Sequence, residues 1–195
     1  IIGGGIGGLT CAVALQKQGF EPHVYEAAAE MKAVGAGIWL PSNALQVFER
    51  LGLSDELTAA GLPLKRIELF DGPRHLSSID LGPIEEQFGH TTVSIHRAEL
   101  QRVLASHVAA DHLHCGKQCQ GVDQYDDRAV VRFADDTEVE ADLVIGADGI
   151  RSVVRKSVFG KVALRYTGQA CYRGLAELTL DDELHDVCRE TWGGT

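Results

Sequence analysis

The chain has 195 residues, 45% of them hydrophobic and 24% charged, the composition of an ordinary soluble globular fold with apolar residues for one core and part of another. A formal net charge of −10 at pH 7 and a pI near 5.2 argue against nucleic acid or an anionic membrane as a partner, since either would be repelled. No apolar run approaches the roughly 20 residues that cross a bilayer, and no basic and apolar leader opens the chain, so the expected location is cytoplasmic.

The chain opens on Ile1 and Ile2, followed by Gly3-Gly4-Gly5-Ile6-Gly7-Gly8. Gly3, Gly5 and Gly8 fit the spacing G-x-G-x-x-G. A helix is predicted from about Gly7 to Gln18, with Leu9, Ala12, Val13 and Leu15 apolar and Gly19 placed to end it. The next apolar run, Val24-Tyr25, closes on Glu26, 18 residues beyond Gly8 (26 − 8). Strand, glycine turn, helix and acid-terminated strand form the signature of a dinucleotide fold. Gly3 permits the tight turn, Gly5 lets the backbone approach a pyrophosphate, and Gly8 allows close helix packing, while the helix N-terminus faces the phosphates. A carboxylate at Glu26 accepts from an adenosine ribose and repels a 2′-phosphate, which favours the ADP part of FAD or NAD over NADP.

Beyond Glu26, Val34-Gly35-Ala36-Gly37-Ile38 reads as a Gly-rich connection. Pro41-Ser42-Asn43 then opens a helix carrying Ala44, Leu45, Phe48 and Leu51 and stopped by Gly52. Ser54 is expected to cap a short helix ending at Gly61. Arg66 to Phe70 and Leu76 to Leu81 read as strands joined at Asp71-Gly72. A strand from Thr92 to His96 leads into a helix over about Ala98 to Val108. Segments around Cys115–Tyr125, Ala129–Phe133 and Glu138–Ala141, separated by acidic turns, read as an antiparallel meander. Leu143 to Ala147 is a continuous apolar run, as expected of a parallel strand covered on both faces, and Ser152 begins a short helix to about Val158. Ala170 to Leu178 reads as extended.

Five cysteines without a leader or a C-x-x-C pair point to reduced thiols acting as small buried hydrophobes. Cys115 and Cys119, four apart in an extended segment, would lie roughly 13 Å apart, too far for a disulfide. The eight histidines show no metal-ligand spacing, and no nucleophile, acid or base can be named. Asp148-Gly149 lies past the end of an apolar run, where open α/β sheets bind ligands. Its carboxylate can hold a ribose or ribityl hydroxyl, with Arg151, Ser152 and Arg155 offering bonds to phosphate. Equally, Asp148 can cap the Ser152 helix.

The segments Ile1 to Glu26, Gly35-Ala36-Gly37-Ile38 with Pro41-Ser42-Asn43-Ala44 and Leu51-Gly52-Leu53, His96-Arg97-Ala98-Glu99-Leu100, and Ala141 through Asp148-Gly149 to Ser152 occur in one order. Together they resemble the single-component FAD-dependent aromatic hydroxylases of the para-hydroxybenzoate and salicylate hydroxylase kind. The resemblance implies an α/β, Rossmann-like FAD-binding fold of the glutathione-reductase type with a β-meander, plus the beginning of a β-rich substrate domain. By residue number it implies FAD-binding parts at 1–64 and 92–164, an excursion at 65–91, and the start of the substrate domain at 165–195. It implies FAD as cofactor, with Gly3, Gly5, Ile6, Gly7 and Gly8 at the pyrophosphate, Glu26 at the ribose, and Gly37, Arg97 and Gln101 within reach of the cofactor. Asp148 and Gly149 match the motif associated with FAD and NAD(P)H. The activity it implies is hydroxylation of a small organic, aromatic substrate by O₂ and NAD(P)H through a flavin C4a-hydroperoxide.

The family's third motif, a late Gly-Asp, is absent, which leads us to expect a longer protein whose further half lies beyond Thr195. Cys171-Tyr172-Arg173-Gly174 and Thr191-Trp192-Gly193 resemble the opening strands of the substrate domain, and Trp39, Tyr172, Arg173 and Trp192 are pocket or core residues. A flavin-dependent reductase or dehydrogenase on the same fold, a flavin halogenase, and a noncatalytic dinucleotide-binding fragment are the alternatives. Substrate identity, the choice between NADH and NADPH and oligomeric state are not encoded in any pattern.

Overall fold

A computed structural model of the chain describes residues 1–31, 35–170 and 174–193. In chain order the elements are α1 (Ile6–Lys17), β1 (Val24–Tyr25), β2 (Gly37–Leu40), α2 (Ser42–Leu51), α3 (Ser54–Ala60), β3 (Leu62–Leu64), β4 (Arg66–Asp71), β5 (Arg74–Asp80), α4 (Gly82–Phe88), β6 (Thr92–His96), α5 (Arg97–Ser106), β7 (Leu113–His114), β8 (Cys119–Gln124), β9 (Ala129–Phe133), β10 (Glu138–Ala141), α6 (Val153–Phe159) and β11 (Val187–Trp192). The chain divides into two compact units, residues 1–33 with 101–172 and residues 34–100 with 173–195.

The first unit is built around the chain's opening residues. Ile2 bridges in parallel to Tyr25 on one side and to Gly146 on the other. The bonds that hold it are Ile2 N to Ile145 O (2.9 Å), Ala147 N to Ile2 O (2.7 Å) and Gly3 N to Tyr25 O (2.8 Å). β1 in turn pairs in parallel with β7. These parallel pairings, with α1 following the central segment, are the Rossmann arrangement. α1 buries Gly8, Leu9, Ala12 and Val13, and Gly19, at φ +83°, stands just past its end. β8, β9 and β10 form the antiparallel meander. Its face carries Cys119, Val131 and Phe133 into a core shared with Ile2 and Val154, with Tyr25, Val122, Val139, Val144 and Val153 packed around it.

The second unit contains two three-stranded sheets, β2-β6-β3 and β11-β4-β5. The β4–β5 hairpin turns at Gly72, φ +54°. α2 and α3 follow their apolar spacing, burying Leu45, Phe48 and Leu57. Gly52 takes the left-handed conformation, φ +77°, that ends α2.

Several expectations need correction. Leu143 to Ala147 is not a strand covered on both faces. Of these residues Gly146 alone bridges, to Ile2, and Leu143 is 73% exposed, so the apolar run is not buried along its length. Ser54 is the first helical residue of α3 and no side chain caps that helix. Residues 174–178 of the expected extended segment form no strand, while Cys171, Tyr172 and Arg173 lie outside the described residues. Of the cysteines, Cys119 alone among those described is fully buried; Cys11, Cys115 and Cys188 are partly buried, all four as free thiols. The Gly-rich connection contributes strand β2, whose Trp39 is exposed at 38%, and β11 carries an exposed Trp192, so neither is a core residue. No helix among the described residues is long and apolar enough to cross a membrane.

Candidate functional site

The glycine turn divides its labour in the way steric demand dictates. Gly3 sits at φ +109°, and a Cβ there would lie 2.4 Å from the Ala147 carbonyl oxygen; one on Gly8 would lie 2.0 Å from the Gly3 carbonyl oxygen. Both positions are closed to any side chain by backbone. Gly5 differs, since a Cβ built on it, or on Gly7, meets nothing within 4 Å. No described residue requires glycine there, and the open space is what a ligand approaching the backbone needs. Gly5 is the N-cap of α1 and no side chain caps the helix. The first-turn N–H groups, including those of Ile6, Gly7 and Gly8, are donors without intrahelical partners at the positive end of the helix dipole. The residues therefore fit a pyrophosphate.

Glu26 closes β1 beside this turn. Its Oε2 accepts from Gly4 N at 2.6 Å and its Oε1 from Ala28 N at 2.8 Å. Its own backbone is held between β7 and the following turn, Glu26 N donating to His114 O and Lys117 N to Glu26 O, each at 2.8 Å. The carboxylate is thus fixed in direction with lone pairs left for a hydroxyl. Burial, and then the Glu26 charge, push the Cys115 thiol up, keeping it neutral beside the acid. From α5, Gln101 Nε2 donates to the Gly4 carbonyl at 2.8 Å.

Asp148 and Gly149 adjoin the same turn, the Cβ position of Gly3 lying 3.0 Å from Asp148 N. The Asp148 carboxylate accepts from Ser152 Oγ (2.5 Å), Val153 N (2.6 Å) and Val154 N (3.2 Å). Ser152 in turn accepts from Arg155 N at 2.9 Å. Asp148 therefore caps α6, and Gly149, at φ +76°, carries the turn. Next to it, Arg151, Arg155, Lys156 and Lys161 line a cleft of about 200 Å³ together with Ser152 and Leu164.

The first unit thus brings together Gly3, Gly5, Ile6, Gly7, Gly8, Glu26, Gln101, Asp148 and Gly149. Gly37 and Arg97 belong to the second unit. Gly37 pairs with His96, Arg97 N donates to Ala36 O at 3.1 Å, and the Arg97 stem lies under Gly35, whose Cβ position is 3.1 Å from Arg97 Cδ. Sequence reasoning missed the ring stack behind Glu26, where His23 Nδ1 lies 3.0 Å from His114 Nε2 and the His23 and His112 centroids are 4.2 Å apart. A separation of 91 residues gives no local signal for such a pair. It also missed Lys156 and Lys161 in the basic cleft, whose nearness in sequence to Arg151 and Arg155 was the only local signal for them.

Parallel pairing about a glycine turn, an open helix N-terminus and an acid closing the second strand define a Rossmann-type FAD-binding fold. Residues 1–193 match the family model described as FAD binding domain, and the chain belongs to that family. It is 40% identical over 190 residues to the 3-amino-4-hydroxybenzoate 2-monooxygenase of Streptomyces cremeus, covering 95% of this chain and 48% of the relative. It is 36% identical over 195 residues to the aurachin C monooxygenase/isomerase of Stigmatella aurantiaca, covering 99% of this chain and 50% of the relative. Among solved structures, Klebsiella pneumoniae HpxO in complex with FAD and uric acid superposes with a TM-score of 0.73 at 34% identity, over 80% of this chain and 40% of that one. The chain spans about half the length of the curated relatives it matches.

Proposed function

We propose that the protein is a FAD-dependent monooxygenase that uses NAD(P)H and O₂ to hydroxylate a small aromatic substrate in the cytoplasm. The observation that carries the reading is the open, uncapped N-terminus of α1 at Gly5, flanked by a carboxylate that the backbone holds in place. Relatives named as monooxygenases, one acting on an aminohydroxybenzoate, supply the reaction class.

In this reading Gly3, Gly5, Ile6, Gly7 and Gly8 present backbone to the FAD pyrophosphate and Glu26 takes the adenosine ribose. Gly37, Arg97 and Gln101 flank the cofactor. Asp148 acts by capping α6 so that Gly149 offers bare backbone to the ligand. Arg151, Arg155, Lys156 and Lys161 give NAD(P)H an anion-attracting approach. Residues 1–64 and 92–164 make the FAD-binding part, 65–91 an excursion from it, and 165–195 the start of the substrate domain. Oxygen activation is the chemistry that bound FAD supplies. The chain's own residues bind and orient it and keep water from its reacting edge.

The test uses the natural protein loaded with FAD, a panel of hydroxybenzoates, hydroxynicotinates and urate, and isotopically labelled O₂. The expected outcome is substrate-stimulated NAD(P)H oxidation with one labelled oxygen in the product. Sustained NAD(P)H oxidation without O₂, with the organic substrate as the electron acceptor, would establish a reductase and overturn the proposal; so would O₂ reduction that releases only hydrogen peroxide and leaves every product unlabelled across the panel.

A further inference from the structure

Gly4 is gripped at both ends of its residue. Its N–H donates to Glu26 Oε2 at 2.6 Å and its C=O accepts from Gln101 Nε2 at 2.8 Å, although Gln101 lies 97 residues away. Because a trans peptide points its C=O and N–H in opposite directions, drawing the Gly4 oxygen toward Gln101 turns the Gly5 N–H away from it. The opposite orientation is within reach of this turn. Rotating the Gly4–Gly5 peptide by half a turn would move φ of Gly5 from its observed −73° to about +107°, a value that glycine tolerates and other residues do not. In that flipped state a carbonyl oxygen stands where an N–H stood, and an anion at the head of α1 meets a negative dipole end in place of a donor. The glycine that opens the cradle thus brings a conformational liability with it.

We propose that Gln101 is a positioning residue that locks the Gly4–Gly5 peptide in its anion-accepting orientation before the cofactor arrives, with Glu26 locking the preceding peptide. The inference rests on the reading that the FAD pyrophosphate sits at this turn. Gln101 is suited to the task because its amide donates without adding charge, so it orients the loop without competing for the phosphate. Preorganisation of this kind raises affinity by removing an ordering cost from the binding step.

The experiment compares the natural protein with Gln101→Met, of similar length without a donor, and Gln101→Glu, whose carboxylate faces the Gly4 oxygen. Three quantities are measured: FAD affinity by flavin fluorescence, the melting temperature of the FAD-free protein, and its amide resonances after labelling with isotopic glycine. Loss of one net hydrogen bond predicts FAD binding about fivefold weaker in Gln101→Met, and weaker again in Gln101→Glu. The Gly4 and Gly5 amide resonances of the FAD-free variants should move, while the melting temperature stays within roughly 2 °C of the parent. Unmoved amide resonances with weakened binding would make Gln101 a direct cofactor ligand and overturn the proposal. So would unchanged affinity, or weakening matched by a large fall in melting temperature. A Gly5→Val control separates the underlying reading: if it keeps full FAD affinity, the turn is not the pyrophosphate site. If it loses FAD while Gln101→Met binds normally, the site stands and only the role of Gln101 falls.

Discussion

The glycine turn before α1 and the Asp148-Gly149 turn before α6 solve the same local problem in opposite ways. Each leads an apolar segment into a helix, and each has a carboxylate beside it. At α6 the acid belongs to the turn and is spent on the helix: Asp148 and Ser152 together take the N–H groups of Val153, Val154 and Arg155. At α1 the acid arrives from another strand, Glu26 bonds the turn at Gly4 and not the helix, and the N-cap Gly5 offers no side chain. One helix end is filled by a side chain of the protein, and the other has no side-chain cap. A helix N-terminus binds anions only where the protein has declined to cap it.

The sharpest way to break this comparison is at Gly8. A valine there would drive Cβ to 2.0 Å from the Gly3 carbonyl oxygen, a backbone atom that cannot swing aside. The cost should reach or exceed the ~3 kcal/mol upper end usual for overpacking. We expect Gly8→Val to yield protein that neither retains FAD nor melts cooperatively in the first unit, as measured by circular dichroism and flavin fluorescence. A cooperatively folded Gly8→Val protein would show that the contact of helix and turn is softer than the geometry says.

A smaller effect is expected at Asp148. Removing it in Asp148→Ala strips Val153 N and Val154 N of their acceptor, a capping loss worth about 1–2 kcal/mol, and should lower the melting temperature of the FAD-free protein. Asp148→Asn keeps one carbonyl acceptor and should lose less. A hundredfold excess of FAD over Kd should still stabilise both variants by the parent's increment, about 2.7 kcal/mol, read as a rise in melting temperature equal to the parent's. If the increment disappears with the carboxylate, Asp148 holds the cofactor itself and the contrast between the two turns is lost.

Much of the first turn was legible in the chain because its constraints are local. G-x-G-x-x-G with an acid at the end of the next apolar run encodes a conformation, a close approach and a helix contact within 26 residues. The second turn was legible only as an ambiguity. Asp148 followed by Ser152 reads equally as a ligand group and as a cap, and only the coordinates show the three bonds from Ser152, Val153 and Val154. Leu143 to Ala147 misled because apolarity reports what a segment could bury and not what lies beside it. β11, paired in parallel with β4 from more than 100 residues away in sequence, carries no local mark of its partner. Gln101 was placed near the cofactor through family resemblance, but its grip on Gly4 is a tertiary fact with no sequence pattern.

The smallest expected effect probes the acid side of the first turn. His23 is held below its ordinary pKa by burial first, then by the neighbouring His112 and His114, with Asp111 opposing. Its Nδ1 lies 3.0 Å from His114 Nε2, a distance at which one neutral ring donates and the other accepts, whereas two protonated rings would set donor against donor. Because the folded-state pKa lies below the unfolded value of about 6.5, the fold favours the neutral ring. The stability this contributes is present above that value and is lost as pH falls below it. His114 matters to the site through its backbone, since its carbonyl accepts from Glu26 N at 2.8 Å. Acidification from pH 7 to about pH 5 should therefore lower the melting temperature, and His23→Gln should flatten that slope without changing the value at pH 7 much. FAD affinity should follow the same acid limb, because the strand that carries Glu26 is the one His23 leads into. An equally steep slope in the variant would assign the acid sensitivity to other groups and leave the ring stack a packing feature.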